Sequence, residues 1–283
     1  MLCRRASRAR HLLPHFSLSR TTPQTPTPTP EQSPLSLLLS SILSTILPNY
    51  PTYPRTMSTT TTTTTTTTVD HIVLLKVKDD TDPSKLKDMI DNLDALFSLG
   101  LVLNRTIGPL HRVPSSPSAF THMIHSRFSS PETLRTYSAH PAHVDVVKEY
   151  VFPICDDVLV VDWVVDDLQG PMAPPPGSAM RVSLLKLKEG GAGAKDEVLG
   201  VVKESLGSQG NLDGVHQVTF GENISPMRAQ GYSIVSLVLF HGVSELEAAA
   251  ETNPVLEGSL AGEKIKEHLE SAIVVDYVVQ SSD

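Results

Sequence analysis

Two kinds of segment alternate along residues 69–165, and their order predicts the fold of this part of the chain. Short apolar runs rich in branched side chains, which are typical of buried strands, cover residues 70–78, 101–107, 119–128 and 157–165. Stretches with helical periodicity lie between them, and each opens on a proline that follows a polar residue, at Pro83 and Pro131. The predicted order is therefore β-α-β-β-α-β.

The same order restarts in residues 180–279, after a proline-rich linker at residues 168–179. Residues 180–188 (MRVSLLKLK) repeat the pattern of the first predicted strand (DHIVLLKVK). Two later segments also match their counterparts, and Asp276 falls where the first copy has Asp162. Three matching segments in one order indicate a tandem duplication of a small domain. The recurring aspartate is expected to have a structural role.

Each βαββαβ unit can form a four-stranded sheet that carries both helices on one face. The other face is apolar, and a second sheet can cover it by packing face to face or by closing a barrel. The sequence therefore predicts an α+β fold in which tandem ferredoxin-like βαββαβ repeats form a pseudo-dimeric α+β barrel, with a small cavity between the sheets. We also expect the first and third strands of a unit to be parallel neighbours, which would bring His71 and His122 together near their starts.

Residues 1–68 differ in composition from the rest and are expected to lie outside the folded core. The first 56 residues contain six arginines, no lysine and one acid, the composition of an organelle transit peptide. Residues 59–68 are ten threonines, which we expect to be disordered because a homopolymer cannot specify a packed core. The expected compartment is a plastid or a mitochondrion, while a start at Met57 would give a cytoplasmic product. A secretory signal at residues 34–47 is less favoured, because the apolar stretch begins late.

Charge and cysteine content argue against several classes of protein. With a net charge of -8, the chain is poorly suited to binding nucleic-acid backbones. It has no run of 18 apolar residues that would span a membrane, and its two cysteines form neither a disulfide framework nor a metal-binding pair. No cofactor is expected. Backbone carbonyls near Phe97 and Gly100, at the end of the first predicted helix, are the one place where Mg²⁺ could bind.

Three segments carry a resemblance to a known family: the opening DHIVLLKVKDD, the segment YSAHPAHV at residues 137–144, and the closing VLVVDWVV. With them the chain resembles the stress-responsive A/B barrel domain family over residues 69–167 and, less closely, over residues 180–279. The resemblance implies a stress-response protein with the ferredoxin-like fold. Single-repeat members are homodimers and two-repeat members occur in plants, so either a homodimer or an intrachain pseudo-dimer is implied. A peroxisomal location by family analogy lacks a C-terminal signal here.

One plant branch of this family is a polyketide cyclase of the olivetolic acid type, which closes a linear poly-β-keto acid by aldol condensation without a metal. The first repeat resembles that branch at five positions, which are His71, His122, Tyr137, His140 and His143. The resemblance implies that His143 is the base, that Tyr137 holds the substrate, and that the other three histidines contact it. The second repeat departs from the pattern, so one site per chain is implied. Its residues at the corresponding positions are Arg181, Ile234, Ala250, Asn253 and Leu256.

The side chains suit this chemistry, but each also has a structural interpretation. An aldol closure needs a base for the methylene proton and a donor for the developing enolate oxygen, which His143 and Tyr137 would supply. His71 could instead be a buried histidine, and His140 could cap a helix break. Three functions therefore stay open: binding of a small hydrophobic or polyketide-like acid, cofactor-independent cyclisation, and a purely structural role through self-association.

Overall fold

The computed structural model describes residues 67–189, 193–207, 214–252 and 263–280. The predicted leader and most of the threonine tract lie outside the described residues, as do the second-repeat positions Asn253 and Leu256. The first strand begins at Thr68, two residues before its predicted start at Asp70. Thr68 is fully buried and pairs with Val165, so the end of the threonine tract is part of the sheet.

The first repeat follows the predicted order and adds one strand. Its strands are β1 (Thr68–Val77), β2 (Asn104–Pro109), β3 (Arg112–Ser115), β4 (His122–Phe128) and β5 (Cys155–Val165). Its helices are α1 (Pro83–Ala95), extended by a 3₁₀ turn (Leu96–Leu99), α2 (Pro131–Ala139) and α3 (Pro141–Val146), extended by a π-helical turn (Val147–Val151). Asp82 and Ser130 cap α1 and α2 through side-chain oxygens, which confirms both predicted helix starts.

The second repeat has the same order without a counterpart of β3 among the described residues. Its strands are β6 (Ala179–Leu187), β7 (Val215–Glu222), β8 (Tyr232–Phe240) and β9 (Leu269–Val278). Its helices are α4 (Ala194–Gly207), α5 (Val243–Thr252) and α6 (Glu263–Lys266), with a 3₁₀ turn (Pro226–Arg228) between β7 and β8. None of the helices in the described ranges has the length and apolar character needed to cross a membrane.

The strands form two antiparallel sheets, in the orders β2-β4-β1-β5 and β3-β9-β6-β8-β7. The predicted parallel pairing of the first and third strands is wrong, because β4 runs antiparallel to β1. His71 pairs with Ser126, whereas His122 pairs with Leu75, four residues further along β1. At the rise of a strand this separation is about 13 Å. The two histidines therefore lie towards opposite ends of the strand pair.

The repeats exchange segments at their edges. β3 belongs to the first repeat by sequence, yet it pairs with β9 of the second sheet, where Arg112 lies opposite Asp276. Sequence patterning misses β3 because its four residues contain a proline and are largely exposed, as is common for edge strands. In the other direction, the β7–β8 connection reaches the first sheet, where the Ile224 N–H donates to the Asp162 carbonyl at 2.8 Å.

The two sheets pack face to face through a hydrophobic cluster to which both contribute. Its largest fully buried members are Ile72, Leu74, Met123, Leu159, Trp163, Met180 and Tyr277. The helices cover the outer faces through two further clusters. The prediction of tandem ferredoxin-like repeats in a pseudo-dimeric α+β arrangement is confirmed. In the described part of the chain, however, the strands form two separate sheets rather than one closed barrel, and apolar side chains fill the space between them.

A buried ionic network also joins the two sheets. Asp70 of β1 accepts hydrogen bonds from Arg127 Nε at 2.7 Å and from the Thr219 hydroxyl of β7 at 2.9 Å. Arg127 Nη1 donates to the carbonyls of Pro171 and Met172, both at 2.8 Å. The proline-rich linker is therefore bound to the sheets at this point.

Candidate functional site

His71 of β1 and Asp162 of β5 lie opposite each other on the face of the first sheet that the helices cover. Strand alternation places Val69, His71 and Val73 on this face and their neighbours between the sheets. His71 Nδ1 lies 2.5 Å from Asp162 Oδ1, and both side chains are buried. The pair is therefore positioned beneath the helices, on the face of the sheet opposite to the predicted cavity between the sheets.

The second repeat holds Asp162 from another direction. Arg228 Nη2 donates to Asp162 Oδ2 at 2.9 Å, and the Ser225 hydroxyl donates to the same oxygen. Burial alone would raise the pKa of Asp162. The charges of His71 and Arg228, with hydrogen bonds from His71 and Ser225, lower that pKa below its ordinary value. Asp162 is thus an anion that fixes His71 and ties the two repeats together.

Tyr137 and His143 approach this pair from α2 and α3. The residue before a proline avoids the helical conformation, so α2 ends at His140 and a new helix begins after it. The ring centroids of Tyr137 and His143 lie 4.7 Å apart. Phe128 of β4 connects this pair to His71, with centroid distances of 5.1 Å to Tyr137 and 5.9 Å to His71. Three of the five predicted site residues therefore form one group.

The hydrogen bonds of His143 fix which ring nitrogen is free. Nδ1 lies 3.1 Å from the Ser138 carbonyl oxygen, which can only accept, so Nδ1 carries the hydrogen and Nε2 of the neutral ring keeps its lone pair. Burial lowers the pKa of His143 to about 4, and the charges of His71, Arg228 and Arg105 add to this effect. Near neutral pH the imidazole is therefore neutral, with Nε2 available as a base.

Arg105 of β2 adds a cation to this group. Its Nη2 donates to the Tyr137 hydroxyl oxygen at 3.3 Å, which leaves the hydroxyl hydrogen free to be donated elsewhere. Arg105 Nη1 is buried and has no hydrogen-bond partner among the described residues. Burial raises the pKa of Tyr137, although the charge of Arg105 lowers it, so the hydroxyl stays protonated at neutral pH. The group thus combines a basic nitrogen, a hydroxyl donor and an unpaired guanidinium N–H.

Neither Arg105 nor Arg228 was predicted as a site residue from the sequence. Arg105 carries a local signal, because it alternates with Ile107, which packs against the helix-facing cluster. An arginine on the apolar face of a strand is unusual and could have been noticed. Arg228 carries no such signal, since it reaches Asp162 only through the exchange of segments between repeats.

The other two predicted contact residues have partners of their own. His122 Nδ1 lies 2.9 Å from the Thr121 hydroxyl oxygen, and partial burial lowers the pKa of His122. His140 Nδ1 accepts the Ala142 N–H at 3.2 Å and so caps α3. Contacts of His122 and His140 with a substrate stay predictions.

The backbone at the end of α1 forms an ordinary left-handed helix termination. The Gly100 N–H donates to the Phe97 carbonyl at 3.1 Å, and Gly100 has a φ of 66°. Across the residues that the structure describes, no three His, Cys, Asp or Glu side chains are grouped so as to hold a metal ion. Binding of Mg²⁺ to the backbone of Phe97 and Gly100 stays a prediction.

The second repeat keeps the framework of this site with different chemistry. Arg181 occupies the position of His71 and binds Asp276 through Nε and Nη2, at 2.7 and 2.8 Å. Arg112 of β3 donates to Asp276 at 2.9 Å, just as Arg228 donates to Asp162 in the first repeat. Each buried aspartate is therefore held by a residue of its own first strand and by an arginine of the other repeat.

The sequence of this chain is similar to that of known plant proteins and matches one family model in both repeats. The family model described as Stress responsive A/B Barrel Domain matches residues 69–165 and 180–279. One stress-response A/B barrel domain-containing protein of Arabidopsis thaliana is 48% identical over 215 residues, which cover 76% of this chain and 80% of that protein. A second protein of the same description from the same plant is 38% identical over 217 residues, which cover 76% of this chain and 98% of that protein.

Among solved structures, a putative monooxygenase from Fusobacterium nucleatum is similar with a TM-score of 0.52 and 12% identity. The match covers 76% of this chain and 93% of that one. At this level of identity the likeness concerns the fold alone.

Proposed function

This chain belongs to the stress-responsive A/B barrel domain family, and we propose that its first repeat binds a small hydrophobic acid between the sheet and the helices. The observation that supports this most directly is the buried Nη1 of Arg105, which lacks a partner among the described residues and lies beside the free hydroxyl hydrogen of Tyr137. A carboxylate could accept both hydrogens, and an unsatisfied buried donor favours an acceptor strongly. The apolar cluster around Phe128 would surround the hydrocarbon part of the molecule.

Thermal unfolding of the full-length chain with olivetolic acid as the probe tests this proposal. A ligand that binds only the folded state stabilises it by about 2.7 kcal/mol at a hundredfold excess over Kd, so the wild-type Tm should rise by several degrees. Tyr137→Phe and His143→Ala should reduce this rise. His241→Ala, at an exposed histidine, is the matched control and should leave it unchanged. A wild-type Tm that does not respond would refute binding of this class of acid.

A cofactor-independent aldol cyclase is the second candidate, favoured by the free Nε2 of His143 beside the Tyr137 hydroxyl. In this proposal Nε2 takes a methylene proton while the Tyr137 hydroxyl donates to the enolate oxygen. The enolate carbon attacks a ketone carbon of the same molecule and forms the new carbon–carbon bond. The resulting alkoxide takes the proton back from Nε2, so the base is regenerated and no redox partner is needed.

Product analysis separates the cyclase from a protein that only binds. The full-length chain would be incubated with a linear tetraketide acid, and the ring product measured against the uncatalysed rate. A positioned base contributes about 10²–10⁴-fold, so His143→Ala should lower the rate by a factor in this range. Binding of the probe without ring formation would refute the cyclase and leave the binding proposal standing.

Residues 1–56 are proposed to direct the protein to a plastid or mitochondrion, because six arginines and a single acid are a composition that suits import. A fluorescent protein fused after residue 68 tests this. Fusions that start at Met1 should enter an organelle, and fusions that start at Met57 should stay in the cytoplasm. Equal distribution of the two fusions would contradict the proposal.

A further inference from the structure

A pocket of about 480 Å³ lies beside the second sheet, between β3 of the first repeat and β6 and α5 of the second. Its volume falls within the range of small-molecule sites, roughly 300–1,000 Å³. The residues that line it are Arg112, Pro114, Arg181, Glu247, Ala250 and Glu251. None of the functions proposed for the first repeat uses this pocket.

The pocket occupies the place where the first repeat has its aromatic group. Arg181 corresponds to His71, and Ala250 lies near the position of Tyr137 in the repeat alignment. In the first repeat the Tyr137 ring packs between Phe128 and His143. An alanine cannot fill that volume, so the loss of the tyrosine leaves a space above the buried arginine.

Two arginines face this space and share one buried anion. Arg181 is 2% exposed and uses Nε and Nη2 to bind both oxygens of Asp276. Arg112, whose side chain is 42% exposed, binds the same carboxylate and has Glu247 as a second acidic neighbour. Arg112 therefore bridges the buried carboxylate and the rim.

One donor of this arrangement is unsatisfied. Arg181 Nη1 is buried and has no hydrogen-bond partner among the described residues. The carboxylate of Asp276 occupies the edge of the guanidinium formed by Nε and Nη2, so it cannot also reach Nη1. A buried N–H without an acceptor destabilises the protein, and a ligand oxygen would remove this cost.

The residues at the mouth and along the walls of the pocket restrict which acids can bind there. Glu247 and Glu251 carry negative charge at the exposed rim, where Glu247 Oε1 lies 3.9 Å from Arg112 Nη1. A second acidic group near the rim would be repelled, whereas Pro114 and Ala250 offer an apolar wall. We propose that this pocket is a second ligand site, which binds a small organic monocarboxylate with its acid group on Arg181 and Arg112.

Isothermal titration of the full-length chain with benzoate tests this site. The titration is done in the His143→Ala background, in which the site proposed for the first repeat is impaired, and benzoate should still bind there because His143 does not line this pocket. Arg112→Gln removes a charged donor and should weaken binding about tenfold or more. Benzyl alcohol, which lacks the acid, and phthalate, which has a second one, should bind at least tenfold more weakly than benzoate.

Ala250→Tyr provides a variant that breaks no ion pair and fills the pocket with the side chain of the first repeat. It should abolish the benzoate binding that remains in His143→Ala, while circular dichroism and Tm show a folded protein. The inference is overturned if benzoate fails to bind the wild type at millimolar concentration, or if Ala250→Tyr and Arg112→Gln bind it as well as the wild type. Loss of binding in His143→Ala alone would move benzoate to the first repeat and also overturn it.

Discussion

His71 and Asp162 form a buried pair across β1 and β5, with Nδ1 of the histidine 2.5 Å from Oδ1 of the aspartate. The equivalent backbone positions in the second repeat hold Arg181 and Asp276. The aspartate is therefore common to both repeats, while its partner differs. This agrees with the structural role expected from its recurrence in the sequence, and it suggests that the partner determines the chemistry of each site.

Replacing His71 by alanine should lower the free energy of unfolding by about 1–3 kcal/mol, because the buried Asp162 loses a hydrogen-bond partner. Arg228 and Ser225 would still hold the other carboxylate oxygen, so we expect the variant to fold. Urea unfolding of the full-length chain measures the change. His111→Ala, at an exposed histidine, is the control and should change stability by less than about 0.5 kcal/mol. Equal effects of the two substitutions would show that the buried pair does not stabilise the fold.

The protonation of His143 gives a second prediction. NMR titration of its ring should show a pKa of about 4 in the wild type, instead of its usual 6.5. In His71→Ala this pKa should rise, because the charge of His71 is one of the causes that lower it. A His143 ring that titrates near 6.5 in the wild type would show that it is not desolvated as the structure describes.

The same shift predicts a loss of stability in acid. Between the unfolded pKa of 6.5 and the folded value of about 4, the unfolded chain binds more protons at His143 than the folded chain does. This contribution to stability is complete above pH 6.5 and is lost as the pH falls towards 4. His143→Gln should therefore lose less stability than the wild type over this interval. Parallel stability curves for the two proteins would contradict the prediction.

Local sequence signals predict most of the fold. The helix starts at Pro83 and Pro131 follow from their capping residues, and the duplication follows from three matching segments. The pairing direction of β1 and β4 was predicted wrongly, because strand direction depends on how the chain returns after each element and not on the composition of the strand. The exchange of β3 depends on an edge of the second sheet that only the folded molecule provides.

The candidate site, like the fold, has features that follow from local sequence and features that depend on the folded molecule. Tyr137 and His143 are brought together by a helix break that a proline encodes, so their proximity is a local property. The contribution of Arg228 requires the second repeat to reach over the first, which no local pattern records. The pocket beside Arg181 is lined by Ala250, which lies near the position that Tyr137 has in the first repeat. It becomes visible only when Ala250 is placed next to the charges that face it.

Asp70 provides a test of the contact between the sheets. Asp70→Asn should lower the free energy of unfolding by about 3–5 kcal/mol, because it leaves the fully buried charge of Arg127 without an anion. Asp91→Asn is the matched control, since it removes the same charge from a solvent-exposed pair with Lys87 and should change the free energy of unfolding far less. Urea unfolding of both variants checks the difference. Similar small losses would mean that water reaches Arg127 when Asp70 is neutralised.

Substitutions at Gly170 and Gly177 separate two contributions to stability: the contact between the linker and β7, and the strain of a backbone with positive φ. Both glycines have positive φ, of 85° and 82°, so an alanine at either position is strained by about 1–2 kcal/mol. A side chain at Gly170 would also lie 2.6 Å from the backbone oxygen of His216, whereas one at Gly177 would meet no atom within 4 Å.

Gly170→Ala should therefore destabilise the full-length chain by about 1–3 kcal/mol more than Gly177→Ala does, because the His216 backbone has to move or the linker has to leave it. Urea unfolding gives the difference directly, since the strain common to both variants cancels. The same displacement should weaken the hydrogen bonds that Arg127 donates to Pro171 and Met172. Hydrogen exchange around β7 should then increase in Gly170→Ala and stay unchanged in Gly177→Ala. Equal stability of the two variants would show that the linker is not held against β7 in solution.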